Sequence, residues 1–136
     1  MNAITDFASF LQAARAQPEP QRLLFVCLRV ELPEDHDEGQ AARYRAGRGG
    51  ALLPVMYVDR RPEEVESFEA LVEESRAQGE RWQILLAAAL AGRDGRPPSD
   101  AETDEQLKAM VRTVHAGGDL TPYLAFDSNG EALRFE

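Results

Sequence analysis

Cysteine occurs once in the 136 residues, at Cys27, so an internal disulfide, a CxxC redox pair and a multi-thiolate zinc site are beyond a single chain. Histidine occurs twice, at His36 and His115. These lie far apart and lack the i, i+3 or i, i+4 spacing of helix-borne ligands, so neither a metal site nor a cofactor is expected. Positive charge is short as well: 15 basic residues against 24 acidic ones leave a net charge of −9. Such a field opposes phosphate backbones and anionic lipid, and neither nucleic acid nor a membrane is an expected partner. No apolar run approaches the roughly 20 residues of a membrane-spanning helix. MNAITDFASF carries Asp6 where a signal peptide has a basic region, and no apolar stretch follows, so the expected location is cytoplasmic.

Catalytic signatures are missing too. There is no GxxxxGK[ST], GxGxxG or GxSxG; Gly47-Arg48-Gly49-Gly50 precedes a strand instead of joining a strand to a helix. Glu34 to Gly39 (EDHDEG) has a calcium-like composition. A twelve-residue EF-hand loop beginning at Asp35 would nevertheless place Gly39 fifth and Ala46 at the bidentate position, so the segment reads as a solvated acidic loop.

What remains has the hydrophobic fraction, 43%, and the length of one globular domain, residues 1–136. Ile4, Phe7, Leu11 and Ala14 recur at helical spacing over residues 5–17, ended by Pro18 and Pro20. Residues 23–30 (LLFVCLRV) form a continuous apolar run that predicts a buried central strand, with Cys27 inside it as a small hydrophobe. Gln40 to Ala46 fits a short helix closed by Gly47. Residues 51–58 (ALLPVMYV) predict a strand in which Pro54, lacking an N–H, argues for an edge position or a bulge. Pro62, Glu63, Glu64 and the stripe Val65, Phe68, Leu71, Val72 predict a helix over 62–78. Residues 82–90 fit a strand, 92–98 an irregular loop, and Ser99 with Glu102 the capping box of a helix that ends at Gly117, with His115 in its last turn. Ser128-Asn129-Gly130 between 123–127 and 132–135 predicts a C-terminal hairpin. The expected class is α/β, with α+β left open: a mixed sheet of about five strands covered by helices.

Residues 13–26 (AARAQPEPQRLLFV), 49–59 (GGALLPVMYVD), 68–75 (FEALVEES) and 88–96 (AALAGRDGR) together resemble a group of short bacterial proteins that carry the name ribonucleotide reductase subunit alpha. The resemblance spans most of the chain. Catalytic alpha subunits work through a thiyl radical and a pair of reducing cysteines in a much larger barrel. Cys27 alone offers no positions onto which those roles map, and no functional residue is carried across.

Two functional readings follow from the residues. The first is a non-enzymatic protein-interaction or regulatory domain. The second is a ligand-binding or enzymatic domain with a small-anion site for phosphate or carboxylate. Asp59, Arg60 and Arg61 follow the second predicted strand, and Arg93, Asp94 and Arg96 follow the third. In parallel strands both loops share the carboxyl edge, where Arg60, Arg61, Arg93 and Arg96 would gather near the N-terminus of helix 62–78. Ordinary solvated loop arginines account for the same residues.

Overall fold

A computed structural model of the chain describes residues 4–31, 51–79 and 81–133. The expected helix Gln40–Ala46, the acidic loop and His36 lie outside the described residues. Helix α1 (Phe7–Arg15) begins at Asp6, whose carboxylate accepts the backbone N–H of Ser9 at 2.8 Å while the Ser9 hydroxyl accepts from the Asp6 N–H. That hydrogen bond holds the Asp6 carboxyl below its ordinary range. Strands β1 (Gln21–Glu31) and β2 (Ala51–Arg60) follow, then a 3-10 turn (Pro62–Glu64), α2 (Phe68–Ala77), β3 (Ile84–Ala91), α3 (Asp100–His115), β4 (Leu124–Asp127) and β5 (Ala132–Leu133).

The sheet has five strands in the order β2-β1-β3-β4-β5, and the C-terminal hairpin is present. Its pairing corrects the expectation of a mixed sheet, because every hydrogen-bonded pair is antiparallel. The physical reason is the position of β1. It lies between β2 and β3, so these two run the same way across α2 without ever being bonded to each other. The order of helices and strands cannot distinguish this split crossover from a direct parallel pair.

Alternation along β1 creates two cores. Leu23, Phe25 and Cys27 face α1 and α2 with Phe7, Phe10, Leu71, Leu85 and Phe126; Leu24, Val26 and Leu28 face α3 with Leu86, Leu107, Met110 and Val114. A strand buried on both faces explains the unbroken apolar run of β1. Cys27 is buried, and desolvation pushes its thiol up to about 12. A maleimide reagent at neutral pH should therefore label the native protein at least about a hundredfold more slowly than the urea-unfolded chain. Equal rates would show that β1 is misplaced.

The expected helix over 62–78 is interrupted. Pro62 to Glu64 make only the 3-10 turn, Val65 is extended and buried, and Ser67 restarts the chain as N-cap of α2 by accepting the Ala70 N–H at 3.0 Å. Pro62 and two acids start a helix well, but Ser67 is the better cap and Val65 reaches the core only from extended backbone. Arg15 locks the break, donating to the carbonyls of Pro62 at 3.3 Å and Val65 at 2.9 Å.

The hairpin turn is held by Asp127, whose carboxylate accepts from the backbone N–H groups of Asn129 and Glu131. Gly130 sits at φ +83, and a Cβ there would lie 3.2 Å from the Phe68 ring. Gly130→Val is accordingly strained on two counts, while exposed Ser128 tolerates Ala.

Candidate functional site

Since β2 and β3 both run against β1, Arg60 and Arg61 do lie at the same end of the sheet as Arg93 and Arg96. Leu23 of β1 is opposite Arg60, and Gln21 is opposite Ala91. The strands are separated by β1 instead of being neighbours, and the residues there are differently engaged. Arg60 donates to Glu74 of α2 and to the Asp59 carbonyl. Arg61 lies 3.3 Å from Glu64 and 3.8 Å from Glu63. Its guanidinium and backbone N–H hold the Glu64 carboxyl below its ordinary range, the N–H contributing most.

Arg93 and Arg96 frame a tight turn and are exposed. Their backbones exchange two hydrogen bonds of 2.9 Å across Asp94 and Gly95, both at positive φ. That is type I′ geometry in place of the irregular loop expected for 92–98, since Asp-Gly is a hairpin signal even when arginines flank it. Gly92 makes the turn possible: a Cβ there would lie 1.8 Å from the Arg96 carbonyl oxygen. Among the described residues neither guanidinium of this turn has a hydrogen-bond or ion-pair partner.

Nor do the four arginines share one concavity. A groove of about 510 Å³ is lined by Arg15, Arg61, Pro62 and Pro97; Arg60 lies in a separate recess of about 130 Å³ with Leu71 and Glu74; Arg93 and Arg96 line neither. The expected helix N-terminus at Pro62 is a single 3-10 turn, and α2 starts behind Ser67, whose hydroxyl already satisfies an amide there. Neither Asp59 nor Asp94 has a side-chain ion pair with these four guanidinium groups among the described residues. Asp59 instead pairs at 3.4 Å with Arg22 of β1, and Asp94 serves the turn. Arg22 is the residue at this end that the motif reading missed. It bridges Asp59 and, at 2.8 Å, Asp100 at the start of α3, and its Nε is buried without a hydrogen-bond partner.

The other notable surface is the outer side of β2. No described strand pairs with it. The register with β1 shifts between Cys27, opposite Met56, and Leu28, opposite Pro54, leaving Val55 as a bulge. The edge position and the bulge that Pro54 suggested are thus both present. Beyond them, Tyr57 is 53% exposed and Leu53 37%, and they project to opposite faces, since Tyr57 lies opposite Val26 of the α3 core and Leu53 opposite Arg29 on the other side. Only Leu133 is comparably exposed among the large hydrophobics of the described residues.

A groove of about 740 Å³ at the opposite end of the sheet is lined by Arg76, Arg81, Trp82 and Ser128, and the Trp82 indole N–H is already committed to the buried Ser75 hydroxyl at 2.8 Å. Among the described residues no group of three or more His, Cys, Asp and Glu side chains could hold a metal ion, and no helix is long and apolar enough to cross a membrane. Compared with family models, curated proteins and solved structures, the chain finds no match.

Proposed function

We propose that this chain is a non-enzymatic protein-interaction module that binds its partner along the outer edge of β2. The observation that carries this reading is a ten-residue edge strand whose outer backbone groups meet no described strand and whose Tyr57 and Leu53 are the most exposed large apolar side chains described. An edge of unpaired N–H and C=O groups is a template for strand addition, in which the main chain supplies affinity and alternate side chains supply specificity. Natural edges of this length are blunted, and here Pro54 and the Val55 bulge blunt one half only.

The test is a photoreactive side chain placed at Tyr57 and, as control, at exposed Glu102 on α3. The reading expects a partner captured from position 57 and not from 102. The purified partner should bind saturably, with at least about tenfold weaker affinity for Tyr57→Asp. Capture that is the same from both positions, or affinity untouched by the substitution, overturns it.

A second reading, a phosphate or carboxylate site, is favoured by the unpartnered guanidinium groups of Arg93 and Arg96 at the same sheet end as Arg60 and Arg61. It requires phosphate to raise the melting temperature beyond chloride at equal ionic strength, and Arg60→Ala with Arg93→Ala to abolish the difference.

A further inference from the structure

We infer that the groove beside the C-terminal end of α2 binds a small organic anion, a carboxylate or phosphate carried on an apolar ring, held at its charge by Arg76 and Arg81 and at its ring by Trp82 and Val72. The site is independent of the β2 edge and lies at the end of the sheet away from Arg93 and Arg96.

The charge inventory selects this groove. Among the described residues Arg22, Arg60, Arg61, Lys108 and Arg112 each sit against a carboxylate, as expected in a chain with 24 acidic and 15 basic residues. Neither the Arg76 nor the Arg81 guanidinium has a hydrogen-bond or ion-pair partner there. Both nevertheless line one groove of about 740 Å³, and no acidic residue stands in its described wall. The hollows lined by Arg61 and Arg60, by contrast, carry Glu63 and Glu74 in theirs. Arg76, in the last turn of α2, complements the carbonyl end of that helix. Arg81 follows the C-cap Gln78 and the turn at Gly79, φ +82, and complements no helix end. Uncompensated cations in one concavity attract an anion, and planar guanidinium forks match carboxylate and phosphate.

The apolar wall is fixed in advance. Trp82 packs against the aromatic core, edge to face with Phe68 at 6.3 Å. Its indole N–H donates to the fully buried Ser75 hydroxyl at 2.8 Å, which donates in turn to the Val72 carbonyl at 2.7 Å. A ring pinned in this way loses little freedom when a ligand settles on it. The volume falls in the range of small-molecule sites, about 300–1,000 Å³, and exceeds what a bare inorganic anion fills. A net charge of −9 opposes a polyanion, so the occupant carries one or two negative groups and not a phosphate backbone.

Trp82 is the only tryptophan, so the full chain has a single indole N–H resonance, and that resonance reports on the groove. It is followed at constant ionic strength while benzoate, phenyl phosphate, benzylamine or inorganic phosphate is added. At least one of the two aromatic anions should shift it saturably with a Kd at or below about 1 mM, and the tighter of them identifies the head group. Benzylamine and inorganic phosphate should do no more than chloride. Arg81→Gln and Arg76→Gln should each weaken binding at least about tenfold, while Arg93→Gln leaves it unchanged. Both groove arginines are exposed, and an indole resonance at its parent position in the unliganded variants shows that the fold is intact. Saturation by neither aromatic anion overturns the inference. So does binding of benzylamine at similar strength, which removes the charge selection, or of inorganic phosphate at similar strength, which removes the ring. Affinity lost in Arg93→Gln and kept in Arg81→Gln moves the anion to the other end of the sheet and also defeats this site. The interaction reading, tested at Tyr57, stands or falls separately.

Discussion

Phe7→Ala should lower the free energy of unfolding by about 3–5 kcal/mol, the range for truncating a buried phenylalanine. Phe7 is the hub of the aromatic core. Its ring lies 5.2 Å from that of Phe68, 5.6 Å from Phe126, 5.7 Å from Phe25 and 5.9 Å from Phe10, so one side chain joins α1, α2, β1 and β4. Neighbours drawn from four separate elements cannot all close on the space it leaves, and the cavity cost adds to the lost transfer energy. Urea denaturation with the midpoint and slope both fitted provides the measurement. Phe7→Leu, which keeps most of the volume, should cost less than half as much. A loss below about 1 kcal/mol for Phe7→Ala would show that the cluster is not packed as described.

Leu71→Asp is expected to cost more than about 4 kcal/mol, enough to leave much of the chain unfolded at neutral pH. Leu71 is buried on the inner face of α2, within the core that contains Val65 and Phe25. A carboxyl placed there is desolvated, so its folded-state pKa lies above its unfolded value. The cost is least below the unfolded pKa, near 3.9, and grows as pH rises through the folded pKa. Leu71→Asn separates charge from polarity: the gap between the two variants should narrow as pH falls from 7 toward 4. If Leu71→Asp melts like the parent protein, Leu71 does not face the core.

Much of this architecture was legible in the residues because local chemistry decided it. The apolar run of β1, the Ser99 cap of α3, the Asn129-Gly130 turn and the edge character imposed by Pro54 each depend on a few adjacent side chains. What escaped depends on partners distant in sequence. Nothing in residues 21–31 says that β1 inserts between β2 and β3, and from that insertion follows the wholly antiparallel sheet. The helix expected at Pro62 broke because Val65 is drawn into a core assembled from other elements. The arginine set suffered similarly. Sequence placed Arg60, Arg61, Arg93 and Arg96 at one end of the sheet, but Glu74, 14 residues further along the chain and inside α2, has no spacing signature that marks it as the partner of Arg60. Arg22 likewise lies just before the strand predicted at residues 23–30, and no local pattern marks it as the residue to which Asp59 and Asp100 are brought.

The fastening of α1 to the hairpin carries a consequence for how the chain is made. The Phe7 N–H donates to the Gly130 carbonyl at 2.7 Å, and the Ala132 N–H donates to the Thr5 carbonyl at 3.1 Å, so the start of the first helix is tied to the last strand. On a ribosome these partners emerge far apart in time, about 6–25 s at roughly 5–20 residues per second. Throughout that interval the aromatic side of α1 has no Phe126 to close on, and the nascent chain carries an open apolar surface until its final strands are released.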